Sequence, residues 1–249
     1  LKGLKAIVTG GTKGIGRAIG QTLAAEGAHV AFCARNAAEV AQTVDAFSTY
    51  GVKVFGRAVD VADGPGLAAW VQDAAANLGG IDIVVANVSA LAIPNEEANW
   101  QRGFEVDMMG TVRLVNAAMP YLEQSANASI VTISSVSARE IDFASGPYGA
   151  FKAAIVHYTQ GLAYHLAGKH IRANSVSPGN TYFAGGVWNQ IEHGNPELFK
   201  QALALNPTGR MGTPQEMANA AAFLASPAAS FITGTNLVVD GALTKGVQL

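Results

Sequence analysis

The sequence has almost none of the cysteine that disulfide frameworks and thiolate metal sites require. Cys33 is the single cysteine among 249 residues, which excludes an intrachain disulfide and a metal site made of several thiolates. The five histidines are scattered, and their spacing predicts no metal centre. A chain with so little cysteine is typical of a reducing compartment, and we expect a cytoplasmic protein.

Charge is also scarce. Lys, Arg, Asp and Glu together make up 14% of the residues, whereas about a quarter is usual. The net charge of −2 gives no basic field that would attract nucleic acid, so that class of partner is excluded. A surface so poor in charge predicts that other subunits cover part of it, and we expect a homotetramer or a homodimer.

Long hydrophobic runs are missing too. No stretch approaches the roughly 18 to 20 uninterrupted apolar residues of a membrane span, so the sequence predicts no membrane insertion. Residues 1–5 lead directly into an apolar, β-rich run. We interpret this start as the approach to a first strand rather than as a secretion signal.

The residues that are present alternate between short apolar runs and alanine-rich stretches. The apolar runs predict strands at 5–9, 29–33, 52–58, 81–86, 129–134, 171–176 and 237–239, and the other stretches predict helices at 14–26, 37–50, 65–78, 98–122, 148–167 and 214–225. Strands without polar alternation are buried on both faces, as in a parallel sheet. The pattern predicts an α/β fold: a single domain over residues 1–249, built as a doubly wound, Rossmann-type parallel sheet of about seven strands with helices on both faces.

One segment, residues 180–207, shows no clear period. In a compact domain, an irregular stretch of this length is more often a functional lid than an idle loop. We therefore predict a substrate lid within the domain. Its aromatic residues and one upstream phenylalanine are expected to line an apolar substrate pocket, namely Phe143, Tyr182, Phe183 and Trp188.

Glycines cluster where the first predicted strand meets the first predicted helix. Glycines allow a tight turn and a close approach of the backbone to a pyrophosphate, which lies at the positive end of the helix. A plain strand-to-helix turn is the alternative in a glycine-rich chain, but the position at the first β-α junction favours phosphate binding. The expected contacts are Gly10, Thr12, Lys13, Gly14, Ile15 and Gly16.

The end of the second predicted strand bears on the choice of cofactor. In NAD-binding domains an acidic residue there holds the ribose 2′-hydroxyl, whereas an arginine accommodates a 2′-phosphate. Arg35 stands at this position, and no carboxylate follows until Glu39. With Lys13 as a second cation, the sequence favours NADP over NAD.

A catalytic pair is suggested by Tyr148 and Lys152, which lie at i and i+4 on one helix face. A free tyrosine has a pKa near 10, so acid-base work near neutrality requires a neighbour that stabilises the phenolate. An ammonium is such a neighbour. Ser135, at the end of a predicted strand, offers a hydroxyl that could bond a substrate oxygen.

In these features the sequence resembles the classical short-chain dehydrogenase/reductase family over nearly its whole length. The matching pieces, in order along the chain, are residues 9–16, Asp60-Val61, Asn87, Ser135, Tyr148, Lys152, Pro178-Gly179 and residues 232–241. The resemblance implies a seven-stranded sheet and, commonly, tetramers that assemble through the two long helices.

The resemblance also implies roles for single residues. Tyr148 would donate or accept the proton, Ser135 would polarise the carbonyl, and Lys152 would hold the nicotinamide ribose and stabilise the phenolate. The implied cofactor contacts are Asp60 and Val61 at the adenine, Asn87 on the adenosine side, and Pro178 and Gly179 beside the nicotinamide.

Three departures from the family pattern stand out. Asp107 replaces an asparagine that holds a water in the proton relay, so the relay is either kept through the main-chain carbonyl or altered. Val88 and Ser89 replace smaller residues near the nicotinamide half of the cofactor. The threonine expected after Pro178-Gly179 is missing at its usual place, and Thr181 is expected to contact the carboxamide instead.

The sequence thus predicts an NADP-dependent carbonyl reductase, equivalently an alcohol dehydrogenase in reverse. Its substrate would be an apolar or cyclic ketone, or a 3-oxoacyl compound. Two alternatives stay open: an NAD-linked alcohol dehydrogenase, and a dinucleotide-binding regulatory protein without turnover, for which Asp107 is the hint.

Overall fold

The structure, a computed structural model, describes residues 1–247. Its strands are β1 (Lys5–Thr9), β2 (His29–Ala34), β3 (Val54–Ala58), β4 (Ile83–Ala86), β5 (Ser129–Ile133), β6 (Arg172–Pro178) and β7 (Asn236–Val239). Its α-helices are α1 (Gly14–Ala25), α2 (Ala37–Ser48), α3 (Gly64–Leu78), α4 (Glu97–Gly103), α5 (Gly110–Leu122), α6 (Pro147–Leu166), α7 (Val187–Gly194), α8 (Pro196–Ala204) and α9 (Pro214–Ala225).

All seven strands pair in parallel, in the order β3-β2-β1-β4-β5-β6-β7. This confirms the predicted doubly wound α/β fold. The chain order reverses between β1 and β4, and ligands of such sheets bind outside the carboxyl ends of the strands at that switch point. The loops after β1, β4 and β5 therefore meet at one edge of the sheet.

Both faces of the sheet are apolar, as the lack of polar alternation predicts. Along β1, Ile7 packs into one core cluster with helices α3 and α5, while Ala6 and Val8 pack into a second cluster with α1 and α9. This alternation follows from the two-residue period of a strand. The two cores fix the strand ends that carry the site.

The predicted helix at 98–122 is one continuous run in three pieces. A π-helical segment, Phe104–Met109, separates α4 from α5. Single-turn π segments inside α-helices occur frequently at functional sites. Asp107 lies within this one.

The segment 180–207, expected to be irregular, contains two short helices, α7 and α8. Each has an apolar face, but Asn195 interrupts the period: its side chain accepts a hydrogen bond from the backbone N–H of Leu198 at 3.1 Å and caps α8. Pro196 then occupies the first turn of α8. Because of this break, neither helix shows a helical period of apolar residues long enough to be recognised in the sequence. We call residues 180–207 the lid segment.

A helix that spans a bilayer needs about 20 apolar residues. Among residues 1–247, no helix is long and apolar enough to do so.

Candidate active site

The glycine-rich loop between β1 and α1 brings backbone close to backbone. Gly10 and Gly14 have φ angles of 70° and 51°, which L side chains rarely adopt. A Cβ at Gly16 would overlap the carbonyl oxygen of Gly10 and the side chain of Asn87. Asn87 braces the loop from β4, because its Nδ2 donates to the carbonyl of Thr9 at 3.0 Å.

The start of α1 fits an anion. No side chain caps its first N–H groups, and no acidic residue lies in its first turn. Unpaired N–H groups and the helix dipole at such a terminus favour a phosphate. The loop borders a cavity of about 1010 Å³, at the upper end of the range for small-molecule and cofactor sites. A dinucleotide fits these residues.

The cations predicted for a 2′-phosphate, Lys13 and Arg35, both line this cavity. Arg35 is exposed. The Nζ of Lys13 lies 2.7 Å from Oε1 of Glu39, and the hydroxyl of Thr12 donates to the other oxygen of Glu39 at 3.3 Å. The hydrogen bond from Lys13 is the main reason that the pKa of Glu39 lies below its usual value. Glu39 is thus a carboxylate at the phosphate end that sequence reasoning had not placed in the site.

We define the catalytic wall as Ser135 together with the first turns of α6. Strand β5 positions it, because Ser135 and α6 come after the end of that strand. Ser135 stands two residues beyond the end of β5, and Pro147 starts α6, so Tyr148 lies in the first helical turn. The hydroxyl of Ser134 donates to the main-chain carbonyl of Lys152 at 2.8 Å and ties helix to strand. Ser135, Tyr148 and Lys152 all line the cavity.

Lys152 is held in place by its own contacts. Its side chain is 2% exposed, and its Nζ donates to the carbonyl of Ile133 at 2.9 Å. The same Nζ lies 5.7 Å from the centre of the Tyr148 ring. The ammonium therefore stands beside the phenol that it is expected to assist.

Asp107 meets Lys152 directly. Its Oδ1 lies 3.5 Å from the Nζ of Lys152 and has no hydrogen bond within the described part of the chain, while Oδ2 accepts from the backbone N–H of Ala90 at 2.8 Å. The main-chain carbonyl of Asp107 accepts from the hydroxyl of Thr111 at 2.7 Å. Asp107 lies behind Lys152 and does not itself line the cavity. An ion pair stands where the family pattern has an amide.

The other predicted cofactor residues lie mostly where expected. The cavity is also lined by Gly10, Thr12, Gly14, Ile15, Gly16, Val61, Asn87, Val88, Pro178, Gly179 and Thr181. Asp60 is the exception: it is exposed, and its Oδ1 accepts from the backbone N–H of Ala62 at 3.0 Å. That carboxylate turns back on its own loop, and its contact with the adenine stays a prediction.

The four aromatic residues predicted for the substrate pocket divide into three groups. Phe143 and Trp188 line the cavity with ring centres 5.6 Å apart, edge to face. Phe183 lines it as well, but its ring lies over the phosphate loop, since a Cβ at Gly14 would be 2.5 Å from it. Its place is at the cofactor end.

Tyr182 is not among the residues that line the cavity, and its contact with substrate stays a prediction. Its ring packs against Phe199 inside the lid segment. Its hydroxyl donates to Glu192 and accepts from Asn189 at 2.9 Å. The hydrogen bond to Glu192 raises the pKa of Tyr182. In this structure Tyr182 therefore supports the lid segment.

Sequence reasoning missed Ser137 and Asp142, which line the cavity beside Ser135. The hydroxyl of Ser137 donates to Oδ2 of Asp142 at 2.6 Å, and that of Ser135 donates to the hydroxyl of Ser137 at 3.3 Å. The only feature of the sequence that could have indicated them is that Asp142 carries a carboxylate shortly before Tyr148.

Known proteins match this chain over almost its full length. A family model described as enoyl-(acyl carrier protein) reductase matches residues 10–244. The chain belongs to the classical short-chain dehydrogenase/reductase family. Isoepoxydon dehydrogenase of Penicillium expansum is 41% identical over 254 residues, which cover 100% of this chain and 97% of that protein.

Solved structures of the short-chain dehydrogenase/reductase family have the same fold as this chain. A 7α-hydroxysteroid dehydrogenase complexed with NADH and 7-oxo glycochenodeoxycholic acid has a TM-score of 0.90 at 32% identity, covering 97% of this chain and 94% of its own. L-Sorbose reductase from Gluconobacter frateurii, complexed with NADPH and L-sorbose, has a TM-score of 0.90 at 29% identity, covering 99% and 98%. The chain is an oxidoreductase of this family, whose members bind NADH in one of these structures and NADPH in the other.

Proposed function

We propose that the protein is an NADP-dependent carbonyl reductase that interconverts a ketone and a secondary alcohol. The observation that carries this proposal is that Ser135, Tyr148 and Lys152 line the same cavity as the glycine-rich loop. When bound, the nicotinamide supplies the hydride in reduction and accepts it in oxidation. Two relatives are named as dehydrogenases of isoepoxydon and of a 7α-hydroxysteroid, which supports a secondary alcohol as the substrate of oxidation. We propose a cyclic alcohol or ketone first. An apolar ketone and a 3-oxoacyl compound are the other substrates to be tested.

The residues of the catalytic wall divide the work on the carbonyl oxygen. Ser135 donates a hydrogen bond that stabilises the negative charge developing there. Tyr148 delivers the proton as general acid, or removes it when an alcohol is oxidised. The ammonium of Lys152, close to the Tyr148 ring, stabilises the phenolate that remains.

The test is reduction of a panel of ketones by NADPH, comparing Tyr148→Phe with the native chain. The panel contains apolar, cyclic, hydroxylated, anionic and 3-oxoacyl members. Because a positioned acid contributes about 100- to 10,000-fold, Tyr148→Phe should lower kcat by at least about 100-fold while NADPH still binds. Tyr164→Phe, on the same helix but 80% exposed, is the matched control and should change nothing. Equal turnover by Tyr148→Phe would refute the mechanism.

The same panel separates enzyme from regulatory protein. A dinucleotide-binding protein without turnover would bind NADPH, reduce no member of the panel and be indifferent to Tyr148→Phe. The intact catalytic wall supports turnover. The feature that favours a regulatory protein is Asp107, which departs from the family pattern and forms an ion pair with Lys152.

NADP is supported by the two cations, Lys13 and Arg35, at the adenosine end of the cavity. Reversal of the charge in Arg35→Asp should raise KM for NADPH about 10-fold or more, because it replaces an attractive contact with a repulsive one. KM for NADH should change much less. Lys53→Asp, also exposed but not among the residues that line the cavity, controls for a general change in charge.

An NAD-linked dehydrogenase is the second candidate, and one observation favours it. Glu39 lines the cavity within hydrogen-bonding distance of Thr12, so its carboxylate could accept a bond from the ribose. Under the NADP proposal, Glu39→Gln frees Lys13 and lowers KM for NADPH. Under the NAD alternative, the same change raises KM for NADH.

We also expect the chain to assemble into a homotetramer or homodimer. Phe151 on α6 packs edge to face with Trp100 and lies 6.2 Å from the ring of Phe104, and these two partners are 39% and 45% exposed. A partly exposed aromatic cluster on the long helices is typical of a subunit contact. Light scattering after size exclusion measures the mass; Phe104→Glu should lower it, whereas a monomeric native chain would contradict the expectation.

A further inference from the structure

The part of the cavity beside the catalytic wall contains a carboxylate that the reaction does not use. Asp142 lines the cavity together with Ser135 and Tyr148. It is only partly buried, so solvent or a substrate can reach it. A charged acceptor at this place influences which ketones can bind.

Two backbone and side-chain contacts fix the orientation of Asp142. Its Oδ1 accepts from the backbone N–H of Ala144 at 2.8 Å, and its Oδ2 accepts from the hydroxyl of Ser137 at 2.6 Å. Each carboxylate oxygen can accept a further hydrogen bond. The group is thus preorganised and retains capacity for a ligand.

The distance from the reacting oxygen is set by a short chain of hydrogen bonds. Ser135 donates to Ser137 at 3.3 Å, and Ser137 donates to Asp142. Two consecutive hydrogen bonds therefore separate the serine that holds the carbonyl oxygen from the carboxylate. A hydroxyl one or two carbons from the carbonyl spans that gap, with each of its hydrogen bonds near 2.8 Å.

Among the described residues that line the cavity, the cations are Lys13, Arg35 and Lys152. Lys152 is paired with Asp107. Lys13 and Arg35 follow β1 and β2, which lie on the other side of β4 from β5. None of the three forms a salt bridge with Asp142 that would compensate its charge for an anionic substrate.

Apolar side chains also line the cavity. Phe143 and Trp188 pack edge to face, and Ile93 also lines the cavity. Such walls suit the carbon skeleton of a ring or short chain. One negatively charged acceptor among apolar walls selects a neutral molecule that brings a donor.

We infer that the substrate is an uncharged hydroxy ketone, with its hydroxyl one or two carbons from the carbonyl, and that Asp142 accepts a hydrogen bond from this hydroxyl. The inference rests on the proposed carbonyl reduction and specifies its substrate class. It also means that keto acids are disfavoured, since their carboxylate would meet that of Asp142.

The experiment measures kcat/KM for three ketones of one ring size: cyclohexanone, 2-hydroxycyclohexanone and 3-oxocyclohexanecarboxylate, whose carboxylate is carried two carbons from the carbonyl. For the native chain we expect the hydroxy ketone to exceed cyclohexanone at least about 10-fold, the range of a hydrogen bond to a charged acceptor. Asp142→Ala should abolish that preference while cyclohexanone stays within about 3-fold. Asp142→Asn should raise kcat/KM for the keto acid about 10-fold or more, by removing the repulsion.

Two further variants keep the inference falsifiable. Glu140→Ala removes a carboxylate on the same loop that does not line the cavity and should leave all three ratios unchanged. Ser137→Ala removes one of the two contacts that orient Asp142 and should reduce the preference for the hydroxy ketone without abolishing it. Equal loss for both neutral ketones in Asp142→Ala would indicate a purely structural role and would overturn the inference.

The outcome is distinguishable from failure of the proposed function. If no ketone of the wider panel is reduced, the carbonyl reductase itself is refuted. If panel ketones are reduced through Tyr148 but hydroxylated members show no advantage over their unsubstituted counterparts, only the role of Asp142 is refuted.

Discussion

The catalytic wall and the lid segment face the same cavity but are stabilised in different ways. In the wall, Lys152 is 2% exposed, joined to Asp107, and continuous with the main sheet through Ser134. The lid segment has its own small cluster around Trp188, which also includes Met211 from the chain beyond it, and an isolated β-bridge joins Thr181 to Gly212. The catalytic wall is thus built on the core, whereas the lid segment packs around a smaller cluster, which we expect to open more easily.

The largest effect should follow from breaking the ion pair in the wall. Lys152→Met keeps the volume of the side chain but leaves Asp107 as a buried carboxylate without a counter-charge. Removing one partner of a buried pair costs about 3–5 kcal/mol. Urea unfolding without cofactor should show this loss in the free energy of unfolding.

Two controls accompany Lys152→Met. Lys169→Met breaks an exposed pair with Glu123 and should cost no more than about 1 kcal/mol. The double variant Lys152→Met/Asp107→Asn should recover a large part of the loss, because the uncompensated charge is gone. If Lys152→Met costs no more than Lys169→Met, the wall is not held as described.

The next prediction compares the core with the lid segment by replacing one tryptophan in each. Trp70 is 0% exposed in the core beneath the sheet, and Trp188 is 5% exposed in the lid segment. Trp70→Ala should lower the global free energy of unfolding by about 3–5 kcal/mol. Trp188→Ala should change it much less, because its cluster is small and separate from the two core clusters.

Hydrogen exchange measures the local effect of Trp188→Ala. Amides of α7 and α8 should lose protection, while those of β5 keep theirs. Equal loss in both regions would mean that the lid segment and the wall unfold as one unit.

A smaller, pH-dependent effect concerns the chain that follows the lid segment. Arg210 bonds Glu216 at 2.6 and 2.9 Å, and Glu216 also closes a capping box with Thr213. The hydrogen bond from Arg210 is the main cause that lowers the pKa of Glu216 to about 2. Because the folded-state pKa is depressed, this stabilisation is present above the ordinary value of 4.5 and is lost as the pH falls from about 4.5 towards 2.

Glu216→Gln should therefore cost up to about 1 kcal/mol near pH 7, as expected for an exposed pair and a helix cap. The difference from the native chain should shrink in urea titrations as the pH is lowered below about 4. Glu197→Gln, in the first turn of α8, serves as the control. A difference that grows towards acid pH would contradict the assignment.

The smallest expected effect is on the rate at which a thiol reagent labels Cys33. Burial raises the pKa of the Cys33 thiol to about 12, and the residue is 0% exposed. Only the thiolate reacts, so a thiol reagent should label the folded chain at pH 8 far more slowly than the unfolded chain. Since β2 belongs to the core, Trp188→Ala should leave the labelling rate unchanged, whereas Trp70→Ala should raise it.

The sequence was sufficient for the sheet and for the catalytic wall. Buried parallel strands produce continuous apolar runs, and the spacing of Tyr148 and Lys152 is a property of any helix. The lid segment was less predictable. Tyr182 and Phe183 are adjacent aromatic residues, and which of them reaches the cavity is decided by the bond of Tyr182 to Glu192, ten residues later.

Asp142 could not be placed from the sequence for a similar reason. It lies outside the helices and strands, where its orientation depends on the contacts with Ser137 and Ala144. Such contacts have no period to detect. Glu39 was visible as the first carboxylate after β2, but its bonds to Lys13 and Thr12 require the fold of the loop.

The π-helical turn at Phe104–Met109 carries a consequence for how this chain can vary. A π-helical turn takes up one residue more than a regular α-helical turn, so deletion of one residue from it would restore regular pitch while the two flanking helical pieces keep their facing. The residues inside the turn would change place, and either Asp107 would move away from the amine of Lys152, or Phe104 would leave its place beside Phe151. The length of this stretch is therefore constrained by the contacts of Asp107 and of Phe104.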